Sequence, residues 1–86
     1  DLYKHEVMIK NEPIQLTLTE FKLLHHLASR PGRVFARDQL LDAVSGPETF
    51  VIDRTIDVHI ASLRKKLKTF ASRIATIRGI GYKFKE

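Results

Sequence analysis

Bond-breaking chemistry needs a nucleophile, an acid–base pair or a metal, and this 86-residue chain has few candidates for any of them. It has no cysteine, which excludes a thiolate nucleophile, a thiolate metal site and a disulfide framework. His25 and His26 are adjacent, so on a helix they point to different faces and make no metal pair. Asp53 and Asp57 stand four apart, which suits a helix cap and an ion pair and brings no third ligand. Gly79 and Gly81 sit at a hairpin tip, not before a helix, so they form no phosphate-cradling loop. No catalytic residue, no metal site and no cofactor is expected.

Recognition of a polyanion suits these residues better. Residues 1–53 carry six positive and eight negative side chains, whereas residues 54–86 carry nine positive and two negative. The overall net charge of +5 therefore hides a strongly basic last third. Such asymmetry is the electrostatic mark of a phosphate-binding face, or of a solvated basic surface; charge alone leaves both open. The residue order within the segment is more informative. Ile56, Ile60, Leu63 and Leu67 are spaced four, three and four, one apolar stripe of a helix. On the opposite face fall Arg54, Val58, Ala61, Ser62 and Lys65. Small side chains let a helix sink into a groove, and an arginine near its N-terminus reaches base edges. An acidic or apolar face would point to a protein partner instead. Without an aromatic stacking platform, single-stranded RNA is disfavoured.

Other elements must hold this helix in place. Val7, Ile9, Ile14 and Leu16 alternate around Lys10-Asn11-Glu12-Pro13, which predicts a hairpin with its turn at 10–13, and Leu2 to Lys4 adds a short strand. Thr17 and Glu20 have the spacing of a capping box at the start of a first helix. Phe21, Leu24, Leu27 and Ala28 form its apolar stripe, with Leu23 beside it, and Pro31-Gly32 ends it. Val34-Phe35 is a strand-like piece, and Arg37 to Ser45 a second helix whose cap position, Ala36, is a poor one. Asp53 caps the third helix, which runs to about Lys68. Residues 73–85 form a last hairpin in which Ala75 and Ile77 alternate with Thr76 and Arg78, and Gly79-Ile80-Gly81 turns the chain. The parity places Thr76 and Arg78 outward and Ile77 toward the core.

Leu16-Thr17-Leu18-Thr19-Glu20-Phe21-Lys22-Leu23-Leu24, Arg33-Val34-Phe35 and Gln39-Leu40-Leu41 resemble the OmpR/PhoB family of response-regulator effector domains. So do Asp53-Arg54-Thr55-Ile56-Asp57-Val58-His59-Ile60, Leu63-Arg64-Lys65-Lys66-Leu67 and Ile77-Arg78-Gly79-Ile80-Gly81-Tyr82, in family order and spacing. The resemblance implies an α+β winged helix-turn-helix: an N-terminal antiparallel sheet over 1–17, a three-helix core over 18–68 and a hairpin wing over 73–85, one domain in all. It implies sequence-specific binding of double-stranded DNA in transcriptional regulation, as the cytoplasmic output domain of a phosphorylation-controlled response regulator. A receiver domain and an upstream sensor kinase are its implied partners.

Residue by residue, Arg54, Val58 and His59 match major-groove positions, and Ser62 shares the outward face with them. Thr55, Arg64, Lys65 and Tyr82 are assigned to the DNA backbone, and Thr76 and Arg78 to the wing in the minor groove. The loop 46–52, with Glu48, Thr49 and Phe50, matches the segment with which family members touch RNA polymerase. Local alternatives stay open. His59 packs at a buried edge or bonds a phosphate, Val58 meets a thymine methyl or only solvent, and Phe50 and Val51 either anchor their loop inward or await a polymerase. Asp57 is expected to pair with a neighbouring cation. Ser45 stands where many members have tryptophan, and Ala61 and Ser62 where several have arginine. With no heptad seam, the isolated domain is expected to be a monomer, and the resemblance implies that it occupies DNA as tandem copies on direct half-sites.

Arg54, Arg64, Lys65, Arg73, Arg78 and Lys83 are the candidate phosphate partners. If four or five engage, log K against log salt has a slope of about −4. Titrations of a labelled duplex at several salt concentrations measure it; a flat plot removes the electrostatic reading.

Overall fold

Lys10 and Asn11 have φ of 50° and 65°, both left-handed, which makes the first turn a two-residue one. The turn is shorter than the expected 10–13: Glu12 and Pro13 already belong to a strand. In the computed structural model, which describes residues 6–45 and 55–86, β1 (Glu6–Ile9) pairs antiparallel with β2 (Glu12–Gln15), Val7 opposite Ile14. Val7, Ile9 and Ile14 pack on the core. The strand expected at Leu2 to Lys4 lies outside the described residues.

Helix α1 (Leu18–Ala28) begins at the expected capping box. The Glu20 amide donates to Thr17 Oγ1 at 3.1 Å, and the Thr17 amide donates to Glu20 Oε1 at 3.0 Å. Its buried face is Thr19, Glu20, Phe21, Leu23 and Leu27, with Leu24 only partly covered. Leu23, not Leu24, is thus at the centre of the stripe, because α1 packs on both other helices rather than on one partner. Strand β3 (Val34–Ala36) leads into α2 (Arg37–Val44). The weak cap at Ala36 is compensated from inside the helix, where Gln39 Oε1 accepts from the Ala36 amide at 2.8 Å. At the other end the Ser45 hydroxyl donates to the Leu41 carbonyl at 2.7 Å.

Helix α3 (Thr55–Leu67) buries Ile56, Ile60, Leu63 and Leu67, the predicted stripe. Asp53, its expected cap, lies outside the described residues. The helix stops one residue early, at Lys68, whose φ is 55°, and a 3-10 segment (Lys68–Arg73) follows. Strands β4 (Ile74–Ile77) and β5 (Gly81–Phe84) form the last hairpin, and β3 joins it in the antiparallel order β3-β5-β4. Three helices and a C-terminal hairpin make the expected winged-helix arrangement. Thr76 is exposed, as expected, but Ile77 is not the core residue of its strand. Ile74 is the core residue of β4, and Thr76 shares its face. Ile77 lies on the other face and is only half-buried.

Two points of this frame are sensitive to single substitutions. At Gly81 an added Cβ would lie 2.0 Å from the Phe35 carbonyl oxygen, because β3 and β5 approach closely there. Gly81→Ala is expected to cost about 1–3 kcal/mol in urea unfolding. Gly79 has φ of 76° with open space around it, so Gly79→Asn stays within about 1 kcal/mol of the parent.

Glu20 is the second. It is 2% exposed and joins α1 to α3: Ser62 Oγ donates to Oε2 at 2.6 Å and Lys66 Nζ to Oε1 at 2.7 Å. Burial pushes its carboxyl up, but the bonds from Lys66, Ser62 and the Thr17 amide outweigh burial and hold it below 4.5. The contribution of the ionised form is therefore complete above that value and is lost as pH falls through the lowered folded value. Glu20→Gln is expected to destabilise by about 1–2 kcal/mol at pH 7. The gap should close in acid; a pH-independent gap would show that the charge is not responsible.

Candidate nucleic-acid interface

Burying Ile56, Ile60 and Leu63 forces the other side of α3, the side expected to meet DNA, into solvent. Val58 is 66% exposed, and Ala61 and Lys65 follow it along the same face. These three residues, at i, i+3 and i+7, make a slim ridge with a cation at its C-terminal end. His59 is half-buried at the edge of the ridge. Arg54 and the loop residues Glu48, Thr49 and Phe50 lie outside the described residues, as does the side chain of Thr55.

Ser62, expected on the outward face, turns to α1 and gives its hydroxyl proton to Glu20. A carboxylate buried this deeply takes every nearby donor, so Ser62 belongs to the interior contact. Arg64 is also engaged within the chain. Its Nε and Nη2 donate to the Ile74 carbonyl at 3.2 and 2.7 Å, and Nη2 donates to Thr76 Oγ1 at 2.8 Å. Of the five guanidinium protons, the two on Nη1 stay outside these bonds. Thr76 accepts from Arg64, which leaves its own hydroxyl proton to give.

Tyr82 is 5% exposed, and its hydroxyl donates to Asp57 Oδ1. A phenol has one proton, and a phosphate only accepts, so in this arrangement Tyr82 has nothing to give a backbone phosphate. The same Asp57 oxygen accepts from Arg37 Nε at 2.8 Å, the cation partner expected for Asp57. The bonds from Tyr82 and Arg37 hold the Asp57 carboxyl below the usual carboxylate range. Burial, then the bond to Asp57, pushes the Tyr82 phenol above 10, so the proton stays on the tyrosine. The guanidinium carbons of Arg37 and Arg64 stand 5.6 and 5.5 Å from the centre of the Tyr82 ring, a distance for cation–π attraction. Arg37 had no marker in the sequence: its partner is twenty residues away, and only the carboxylate's need for a cation hinted at it.

Arg78 lies exposed in the β4–β5 turn, which closes through the Ile80 amide and the Ile77 carbonyl at 2.9 Å. The molecule therefore shows a slim helix ridge and an arginine-bearing turn on elements bound to each other through Asp57–Tyr82 and Arg64–Thr76. Arg73, by contrast, stacks over Phe84 at 5.5 Å beside an apolar groove lined by Val7, Leu24 and Phe70. Among the described residues, no helix is long and apolar enough to cross a membrane, and no three His, Cys, Asp or Glu side chains gather to hold a metal.

Comparison with known proteins agrees with this geometry. The family described as Transcriptional regulatory protein, C terminal, matches residues 11–84. The phosphate regulon transcriptional regulatory protein PhoB of Escherichia coli K12 is 46% identical over 86 residues, covering 98% of this chain and 38% of that protein. The chain thus spans little more than a third of the length of such relatives. The DNA-binding domain of the response regulator AdeR, solved in complex with an intercistronic region, superposes with a TM-score of 0.83 at 32% identity, covering 100% of this chain and 90% of that one. The Klebsiella pneumoniae RstA DNA-binding domain, solved in complex with the RstA box, has a TM-score of 0.79 at 38% identity, covering 99% and 87%. Shared sequence over nearly all of the chain and a shared three-helix, hairpin-bearing frame place it plainly: the chain belongs to the transcriptional regulatory protein C-terminal family, the OmpR/PhoB-type winged-helix effector domains of response regulators.

Proposed function

We propose that the chain binds double-stranded DNA sequence-specifically to regulate transcription, with α3 in the major groove and the β4–β5 turn in the minor groove. The carrying observation is the exposed ridge Val58, Ala61 and Lys65 on a helix bonded directly to the hairpin that bears Arg78. The DNA complexes of the AdeR and RstA domains, which share this frame, support the reading. Within it, Arg54, one residue before α3, reads base edges, and Val58 and His59 line the groove. Lys65, the free edge of Arg64, the Thr76 hydroxyl and the start of α3 at Thr55 meet phosphates. The response-regulator relatives support a receiver domain as a partner; a sensor kinase and tandem copies on DNA are assigned on the resemblance alone. RNA polymerase is assigned to the loop 46–52 on the resemblance alone.

Selection of bound duplexes from a random pool gives the site, and two substitutions then test the docking. Arg54→Ala is expected to cost about 1–3 kcal/mol and to relax preference at one or two base pairs. Arg78→Ala should weaken binding most where the flank at the wing is A·T-rich, since a narrow minor groove concentrates negative potential. Melting is measured in parallel. A lowered melting temperature with a flank-independent loss would mean that Arg78 braces the hairpin instead.

A further inference from the structure

Asp57 is an anion next to Val58 on the side of α3 assigned to DNA, where a carboxylate repels phosphates. Its contacts give it a different use. Thr76 of β4 and Tyr82 of β5 face each other across the hairpin. Asp57 holds the Tyr82 side of this rung, and Arg64, seven residues along α3, holds the Thr76 side. The two anchors are about 10 Å apart along the helix axis. Attachment at two points on the helix, to both strands of one rung, stops the hairpin from swinging about α3. Arg37 adds a third connection, from α2 to the same Asp57 oxygen. Arg78 is two residues beyond Thr76, so its place relative to the helix ridge follows from this frame.

Resting on the DNA-binding reading above, we propose that Asp57 is a positioning residue that locks the hairpin turn to α3 and so sets the spacing between major-groove and minor-groove contacts. The frame is formed before DNA arrives, which removes an ordering cost from binding. It also makes the protein a ruler: the A·T-rich step must lie at a fixed offset from the bases that α3 reads.

The test uses Asp57→Ala, Asp57→Asn and Tyr82→Phe against three duplexes with the same selected core. One has an A·T tract at the wing position, one has the tract displaced by two base pairs, and one has G·C there. The parent should favour the correctly placed tract by about tenfold. In Asp57→Ala and Tyr82→Phe this preference should fall to about twofold, and affinity for the best duplex should drop about threefold or more. Asp57→Asn keeps an acceptor oxygen for the phenol and should retain most of the preference. Tyr82→Phe keeps the buried ring and the net charge, so it carries the test should Asp57→Ala unfold on melting.

Tighter binding by Asp57→Ala with intact preference would overturn the proposal, because the carboxylate would then be only a repulsive charge. Uniform weakening by Tyr82→Phe with intact preference would overturn it as well. A parent that binds the core but ignores the tract would refute the minor-groove placement, and the ruler with it. A parent that binds none of the duplexes would refute the DNA-binding reading itself.

Discussion

A carboxylate removed from water must have its lone pairs filled by donors of fixed position, and Glu20 imposes this constraint on the whole domain. One oxygen takes the Thr17 amide and Lys66, and the other takes Ser62. The first bond starts α1; the other two set where α3 lies against it. The apolar stripe of α3 would pack against α1 with some freedom to rotate or slide, since dispersion contacts are non-directional. Hydrogen bonds at 2.6 and 2.7 Å remove that freedom. Which residues of α3 reach solvent is therefore settled at Glu20.

Asp57 does for the hairpin what Glu20 does for the helix, under different physical conditions. Its side chain is 47% exposed, so its ion pair with Arg37 is screened and adds little to stability. Its value is geometric, because one oxygen is shared by side chains from α2 and β5. The same bonds place a positive partner beside the acid on the surface proposed to face DNA. Lys65 on α3 and Arg78 in the β4–β5 turn remain as exposed cations. Affinity from phosphate contacts and discrimination from base contacts need such a division, since charge draws the surfaces together and shape decides register.

The departures from the family pattern fit this division. At Ala61, where the resemblance places arginine in several family members, the side chain is exposed on the ridge and leaves it slim. Ser62, the second such position, serves Glu20 rather than the nucleic acid. Ser45 closes the end of α2 with its hydroxyl. Two of the three departures thus have a role inside the protein.

Much of the architecture was legible along the chain because it is local. The capping box at Thr17 and Glu20, the stripe Ile56-Ile60-Leu63-Leu67 and the two hairpins depend on neighbours three or four residues away, or on turn residues between short strands. The basic last third and the slim face of α3 were equally plain in the sequence. Tertiary structure decided which residue on a helix edge faces inward. Ser62 is drawn in by a partner 42 residues away and Lys66 by one 46 away, and Arg37 is paired at the surface with one 20 away. No local period encodes such pairs. Leu23 replaced Leu24 at the centre of its stripe for the same reason, since burial depends on how many elements converge on a face. In β4, period two correctly required alternation, but only the pairing of Thr76 with Tyr82 fixed which set faces the helices.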